Sequence, residues 1–442
     1  MLFSRYDLQR LFIPLLLEQV LGIAIGMTDT LMVSAVSEAA VSAVSSVDTI
    51  NVLLINLFSS LATGGAVVAS QYLGKNDFTS AGKAGKQLIH TCIAVSFGIM
   101  IICLLLNHTL LALFFGQVHP DVMLNARTYF LLSALSFPFL SLYNANAALL
   151  RAQGNTKSTL YAAIIINIIH IATNYLFIYV LKLGVMGAGI STLLSRILGA
   201  LLTTFAVVHP HSFVPVSSLI QFKCDKDMLR RILHIGIPTG LEGSFFQLGK
   251  ILLQSLTSSF GTAALAANAV ANSLAGFQTV PANAIGLGIV TVIGRCVGAG
   301  EYGQARIYTK KLMKLVYMIT WGTALLLYIF LKPSIALFHL SDEAAHITYL
   351  LLISFLCNVL FTWPAAFTLP NALRAAGDAK YTMIVASFSM VLFRILFSYI
   401  LGNGYHLGVL GIWIASQIDW FFRGLFFYLR YHSNRWLNNS IV

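Results

Sequence analysis

The chain has 442 residues, 58% hydrophobic and 10% charged, with a mean hydropathy of +0.82. Soluble domains carry roughly 25% charged residues, so these charges are too few to cover a water-facing surface, and the composition points to a polytopic membrane protein. The net charge of +12 does not mark a nucleic-acid partner, because the basic residues sit in short loops between apolar stretches.

Twelve apolar runs reach the roughly 20 residues that a bilayer requires. They are 11–35, 46–73, 87–115, 127–150, 158–181, 186–208, 231–258, 268–294, 311–331, 345–372, 381–401 and 407–429, numbered below as spans 1 to 12. Arg5 and Arg10 precede the first run, which has no small-residue cleavage site and reads as a retained span. Span 1 holds Pro14, Glu18 and Asp29. Asp29 stands 19 residues beyond Arg10, about 28 Å along a helix and toward the outer side. An acid in a span usually faces a bundle interior or a wet cavity and marks an ion path. Glu18 and Asp29 are eleven apart, about 20° from eclipsed, so they can share a face. Asp48 opens span 2, where the helix dipole favours a first-turn acid.

Span 5 places Asn167, His170 and Asn174 on one helical face. The basic connection 209–230 then divides the chain into a six-helix lobe 1–208 and a second lobe 231–442. In span 7, Glu242 follows Pro238 by four residues, as Glu18 follows Pro14. A proline loosens the turn around it and frees backbone groups near each acid, unless it sits near a helix start, where it is tolerated. Lys250 lies eight residues beyond Glu242. Span 10 carries no acid between Cys357 and Pro364, and span 11 carries Arg394, an intramembrane arginine that calls for a carboxylate or carbonyl partner.

The two lobes repeat. At an offset of 224, Ile13-Pro14 falls on Ile237-Pro238, Glu18 on Glu242, Gly74 on Gly298 and Lys86 on Lys310, without a gap. Leu150-Arg151 is echoed by Leu373-Arg374 at 223, and Leu183 to Gly187 by Leu407 to Gly411 at 224. An even number of spans per copy predicts parallel lobes related by an axis along the membrane normal. Twenty of the 27 Lys and Arg residues fall on the side of the termini, which predicts cytoplasmic N- and C-termini.

These motifs carry a resemblance. Ile13-Pro14, the run Gly26 to Val33, Gly64 to Gly74, Leu150 to Asn155 and Gly184 to Ile190 resemble the multidrug and toxic compound extrusion family. The likeness covers nearly the whole chain and is nearest to the bacterial DinF-type and related branches. It implies an all-α protein of twelve spans in two lobes forming a V. It also implies export of cationic or amphipathic organic compounds from a bacterial plasma membrane, driven by inward protons or sodium ions. Asp29 takes the place of the family's cation-coupling carboxylate. On span 5 the family usually has an Asn, then an Asn or Asp four residues on. Here His170 replaces the first amide and Asn174 takes the second place. The change removes an oxygen ligand from a sodium site and adds a group that titrates near neutral pH, which favours protons. In several branches a span 7 glutamate joins the coupling, which gives Glu242 the same expected role. Glu18, Asp48 and Arg394 remain candidates for substrate contact or gating.

Cys92, Cys103, Cys224, Cys296 and Cys357 show no metal-ligand or CxxC spacing. Gly298 to Gly303 spells GxGxxG without a preceding strand, and no Walker A, HExxH or GxSxG sequence occurs. The expectation is therefore a secondary active exporter, not an enzyme, working as a monomer in a lipid bilayer with a small organic substrate, a coupling cation and no cofactor. Its rivals are a lipid-linked sugar flippase of the same superfamily and an intramembrane enzyme. The sparse internal basic residues weigh against the first, and the missing catalytic constellation against the second.

Overall fold

The computed structural model describes residues 2–115, 120–209, 212 and 224–442. Among them the chain makes twelve helical passages and no strand. Spans 1 and 2 are the helices Arg5–Ser34 and Glu38–Gly74. Span 3 is Phe78–Leu105 continued by Asn107–Phe115, and span 4 is Pro120–Leu135 continued by Phe137–Gln153. Span 5 is Thr156–Asn174 extended by the π-wound Tyr175–Val180, and span 6 is Gly184–Val207. Spans 7, 8 and 12 are Lys226–Ser258, Thr262–Gly298 and Gly408–His432. Span 9 is Tyr302–Ile329 with Leu331–Ala336. Span 10 is Asp342–Val359 with the π-wound Pro364–Thr368 and Leu369–Ala375, and span 11 runs from Ala379 to Gly404 through two π-wound stretches, Met390–Leu396 and Ile400–Gly404.

Eight of these passages are long and apolar enough to cross a membrane on composition alone, and span 10 makes nine if its two parts, bent by 68°, count as one. Pro364 explains that bend, since it has no N–H and its ring clashes with the preceding turn. Span 4 falls short because it is split at Ser136, and spans 7 and 12 because they carry more polar and charged residues. Pro14 and Pro238, by contrast, lie inside unbroken helices, so neither marks a helix start. Asp48 is likewise not a first-turn residue. Span 2 begins at Glu38, capped by Ser37, and Asp48 sits nearly three turns in.

Two compact units emerge, Ser4–Gly240 and Met1–Phe3 with Leu241–Val442. The division falls inside span 7. Most of the expected linker 209–230 (residues 210, 211 and 213–223) lies outside the described residues. The first turns of span 7 belong to the N-terminal unit because small residues let backbones touch. A Cβ on Gly64 would meet Ile232 O at 2.5 Å and Gly236 N at 2.9 Å. Arg231 Nη1 donates to the Tyr72 hydroxyl at 2.9 Å.

Within each unit one helix is the central stave. Span 2 buries 61% of its apolar window and its repeat mate span 8 buries 78%, against 22–28% for spans 3, 9 and 11. The buried side of span 2 carries small and polar groups such as Ser60, Ala62, Ser70 and Gln71. Large apolar side chains such as Phe97, Leu105, Leu201 and Phe205 stay exposed, as a lipid-facing surface requires.

The repeated glycine motif has a packing cause. A Cβ on Gly187 would lie 3.0 Å from the Phe177 backbone, and one on its mate Gly411 would lie 2.7 Å from the backbone of Leu401 and Gly402. Spans 5 and 6 cross closely in one half, as spans 11 and 12 do in the other. Each crossing is entered through a left-handed glycine, Gly184 at φ +55° and Gly408 at φ +56°. The π-wound Met390–Leu396 accounts for the one-residue drift of the repeat. Thr159 matches Thr382 at 223, whereas Phe177 matches Leu401 at 224, and span 5 is regular α-helix over the corresponding stretch Thr156–Asn174. A single π-turn absorbs one extra residue, and it does so beside Arg394.

Candidate functional site

In the N-terminal half, span 1 brings Asp29 against the face of span 5. His170 Nε2 lies 2.6 Å from Asp29 Oδ1, and Asn174 Nδ2 donates to the same oxygen at 2.6 Å. His170 is 5% exposed and Asp29 30%, so the carboxylate remains reachable while the ring is enclosed. Asn167 does not join them: its amide donates to Ala163 O one turn earlier, at 2.6 Å. Asn174 is the last α-helical residue before Tyr175–Val180 winds as a π-helix.

Span 6 sets the proton on the other ring nitrogen. Ser195 Oγ donates to Ser191 O at 2.8 Å, which leaves it an acceptor for His170 Nδ1 at 2.9 Å. A hydroxyl has one proton to give, so the network assigns N–H to Nδ1. Nε2 then faces Asp29 at 2.6 Å, a hydrogen-bonding distance.

Around this pair stand groups from spans 2, 4 and 6. Asp48 accepts from Asn51 Nδ2 at 3.0 Å, and Asp29, Asp48, Tyr129 and Arg196 lie within one another's electrostatic reach. Arg196 Nη1 also donates to Ser136 Oγ at 2.6 Å. Arg196 lies inside span 6, from which the sequence alone nominated no site residue. The signal was present, since any charge inside a span is a site candidate.

Glu18 and Glu242 are built alike. Arg151 Nη2 meets Glu18 Oε1 at 2.5 Å, and Thr159 Oγ1 donates to Glu18 Oε2 at 2.8 Å. Arg374 Nη2 meets Glu242 Oε1 at 2.6 Å, and Thr382 Oγ1 lies 3.3 Å from Glu242 Oε2. Glu18 does share with Asp29 the face turned to span 5, but its carboxylate is closed by Arg151 and Thr159. Each glutamate ties the first helix of its half to the end of the fourth and the start of the fifth.

Among the described residues, the C-terminal half contains no counterpart of the Asp29 pair. Leu253 stands in the place of Asp29 and is buried. The internal acid is instead Asp419 of span 12, fully buried and bonded to Arg423 Nη2 at 3.0 and 3.1 Å and to the Ser389 hydroxyl. Arg394 Nη1 lies 3.8 Å from Asp419 Oδ2. Asp419 is a further residue the sequence reading passed over, although an acid with an arginine four residues later in a span is visible in the chain. Among the described residues no three His, Cys, Asp or Glu side chains cluster as metal ligands.

Twelve helical passages in two repeated halves, with the few intramembrane charges held inside each half, define a multi-pass membrane transporter rather than an enzyme. The MatE family profile matches residues 14–176 and again 238–400. The chain belongs to this family, the multidrug and toxic compound extrusion transporters. It is 29% identical to "Uncharacterized transporter YisQ" of Bacillus subtilis, over 97% of this chain and 94% of that one. It is 24% identical to "Probable multidrug resistance protein NorM" of Thermotoga maritima, over 99% and 94%. In fold it matches a solved MOP superfamily transporter from Pyrococcus furiosus with a TM-score of 0.91 at 20% identity, over 98% of this chain and 96% of that one.

Proposed function

We propose that the chain is a proton-driven exporter of amphipathic organic compounds, in which Asp29 and His170 together hold the coupling proton. The observation that carries the reading is the 2.6 Å contact of His170 Nε2 with Asp29, on a ring whose other nitrogen lies 2.9 Å from Ser195 Oγ. Losing that proton sets the Nε2 lone pair against a carboxylate. The contact then opens. The outer part of span 1 is released from span 5, and the N-terminal half repacks around substrate. A proton arriving from outside closes the contact again and displaces the substrate outward. The unloaded site holds Asp29 and Asp48 against one arginine, a field that suits the organic cations expected of the family. The basic loops orient both termini to the cytoplasm of a bacterial plasma membrane. The relatives named as multidrug resistance proteins support export of varied compounds.

Sodium is the second reading. Asn174 Oδ1 is buried without a hydrogen-bond partner beside Asp29, and it is an oxygen a sodium ion would use. Ethidium efflux from proteoliposomes, with a pH gradient or a sodium gradient imposed separately, decides between them. The proton reading expects efflux under the pH gradient alone and none in Asp29→Asn. A strict sodium requirement, or coupled efflux at the wild-type rate in Asp29→Asn, refutes it.

A further inference from the structure

A cavity of about 390 Å³ opens inside the C-terminal half between spans 7, 8, 10, 11 and 12, none of which contributes to the Asp29 site. Its size is that of a small-molecule pocket. Its walls are aromatic. Trp363 stacks on Phe367 at 5.2 Å, and Phe367 meets Trp420 edge to face at 5.8 Å. The cavity is also a sink of donors. Arg394 lines it, 12% exposed, with Nε and Nη1 buried and making no hydrogen bond. Trp420, 8% exposed, lines it with its indole N–H buried and equally unpaired. Lys250 lines it as well and belongs to no ion pair among the described residues. Behind the wall, Arg423 and Arg394 share the single carboxylate of Asp419.

The charge balance is decisive. Lys250, Arg394 and Arg423 face one acid, Asp419. The other acid on these helices near the cavity, Glu242, is closed by Arg374 and Thr382. A net charge of two positives in a partly desolvated pocket repels a cation and leaves buried donors that only an acceptor satisfies. Arg394 and Arg423 lie over the Phe246 ring at 5.1 and 5.5 Å, which holds their guanidinium planes against the aromatic wall.

We infer that this cavity is a binding site for aromatic organic acids. The anionic head, a sulfonate or carboxylate, accepts from Arg394, Lys250 and the Trp420 N–H, and the ring lies among Trp363, Phe367 and Trp413. This goes beyond the export reading, since it concerns binding in the other half and requires no gradient.

Three of the five tryptophans, Trp363, Trp413 and Trp420, line the cavity, so intrinsic fluorescence of the purified full chain in detergent reports occupancy. The probes are 4-nitrobenzenesulfonate and the permanent cation (4-nitrobenzyl)trimethylammonium, two nitroaromatic quenchers of similar size. The expected result is saturable, partial quenching by the sulfonate, at least tenfold tighter than by the cation. Lys250→Gln and Arg394→Gln should each weaken the sulfonate about tenfold, the share of one charge-assisted contact. Lys250→Gln keeps the test open should Arg394→Gln fail to fold. Equal affinity for both probes, no saturable quenching by the sulfonate, or unchanged sulfonate affinity in Lys250→Gln overturns the inference. None of these outcomes touches the proton pair, whose own failure shows only in gradient-driven efflux.

Discussion

Replacing Glu242 by Gln removes one charge from a pair whose side chains are only 12% and 14% exposed. The Arg374 Nη2 to Glu242 Oε1 contact is 2.6 Å, which puts the charge centres about 4 Å apart, an attraction of about 4 kcal/mol at an effective dielectric of 20. The amide keeps an acceptor for Thr382, which returns about 1 kcal/mol, and Arg374 retains its bond to Asn371 Oδ1 at 2.9 Å. The net loss is about 3 kcal/mol, at the lower edge of the cost of breaking a buried pair. For a unit of this size, about 2–4 °C per kcal/mol lowers the unfolding temperature of Glu242→Gln by about 6–12 °C. The double variant Glu242→Gln with Arg374→Gln should recover most of that, because no charge is left alone. Thermal unfolding in detergent measures the first effect. Ethidium efflux under a pH gradient, normalised to folded protein, should stay coupled. An unchanged unfolding temperature with uncoupled efflux would refute the structural reading and make Glu242 a coupling group.

His170→Asn restores the family's usual amide; it should fold and lose efflux driven by a pH gradient alone, as measured in proteoliposomes. Gly411→Ala forces a methyl to 2.7 Å from backbone that cannot give, costing about 1–3 kcal/mol in a thermal-unfolding assay. Gly98→Ala, with nothing within 4 Å, should be neutral or slightly stabilising in the same assay. Asp77 caps span 3 by accepting from Ser80 N–H at 2.9 Å, and that bond holds its carboxyl below the ordinary 3.8. Its contribution is therefore complete above the unfolded value and fades as pH falls through the lower folded one. Acid unfolding below about pH 4 should show a weaker pH dependence in Asp77→Ala than in the wild type.

The hydropathy of the chain and its internal offset were enough to determine twelve passages, two repeated halves and their matched glutamates. Hydrophobic runs report burial in lipid directly, and a duplicated sequence keeps its spacing. The face shared by His170 and Asn174 was equally legible, because 3.6 residues per turn specify which side chains align along one helix. What lies opposite that face was not. Asp29 and His170 are 141 residues apart, Glu242 and Arg374 132, and periodicity names a face without naming its neighbour. Asn167 shows the limit, since it lies on the right face but spends its amide on its own helix. Prolines and caps misled for a related reason. Span 2 starts at Glu38, well before its apolar run, so Asp48 became an internal acid beside Arg196. Only tertiary packing placed Arg394 and Lys250 at one aromatic cavity. There a single π-turn in span 11 absorbs the residue by which the two halves differ, so the register around Arg394 departs from that of span 5.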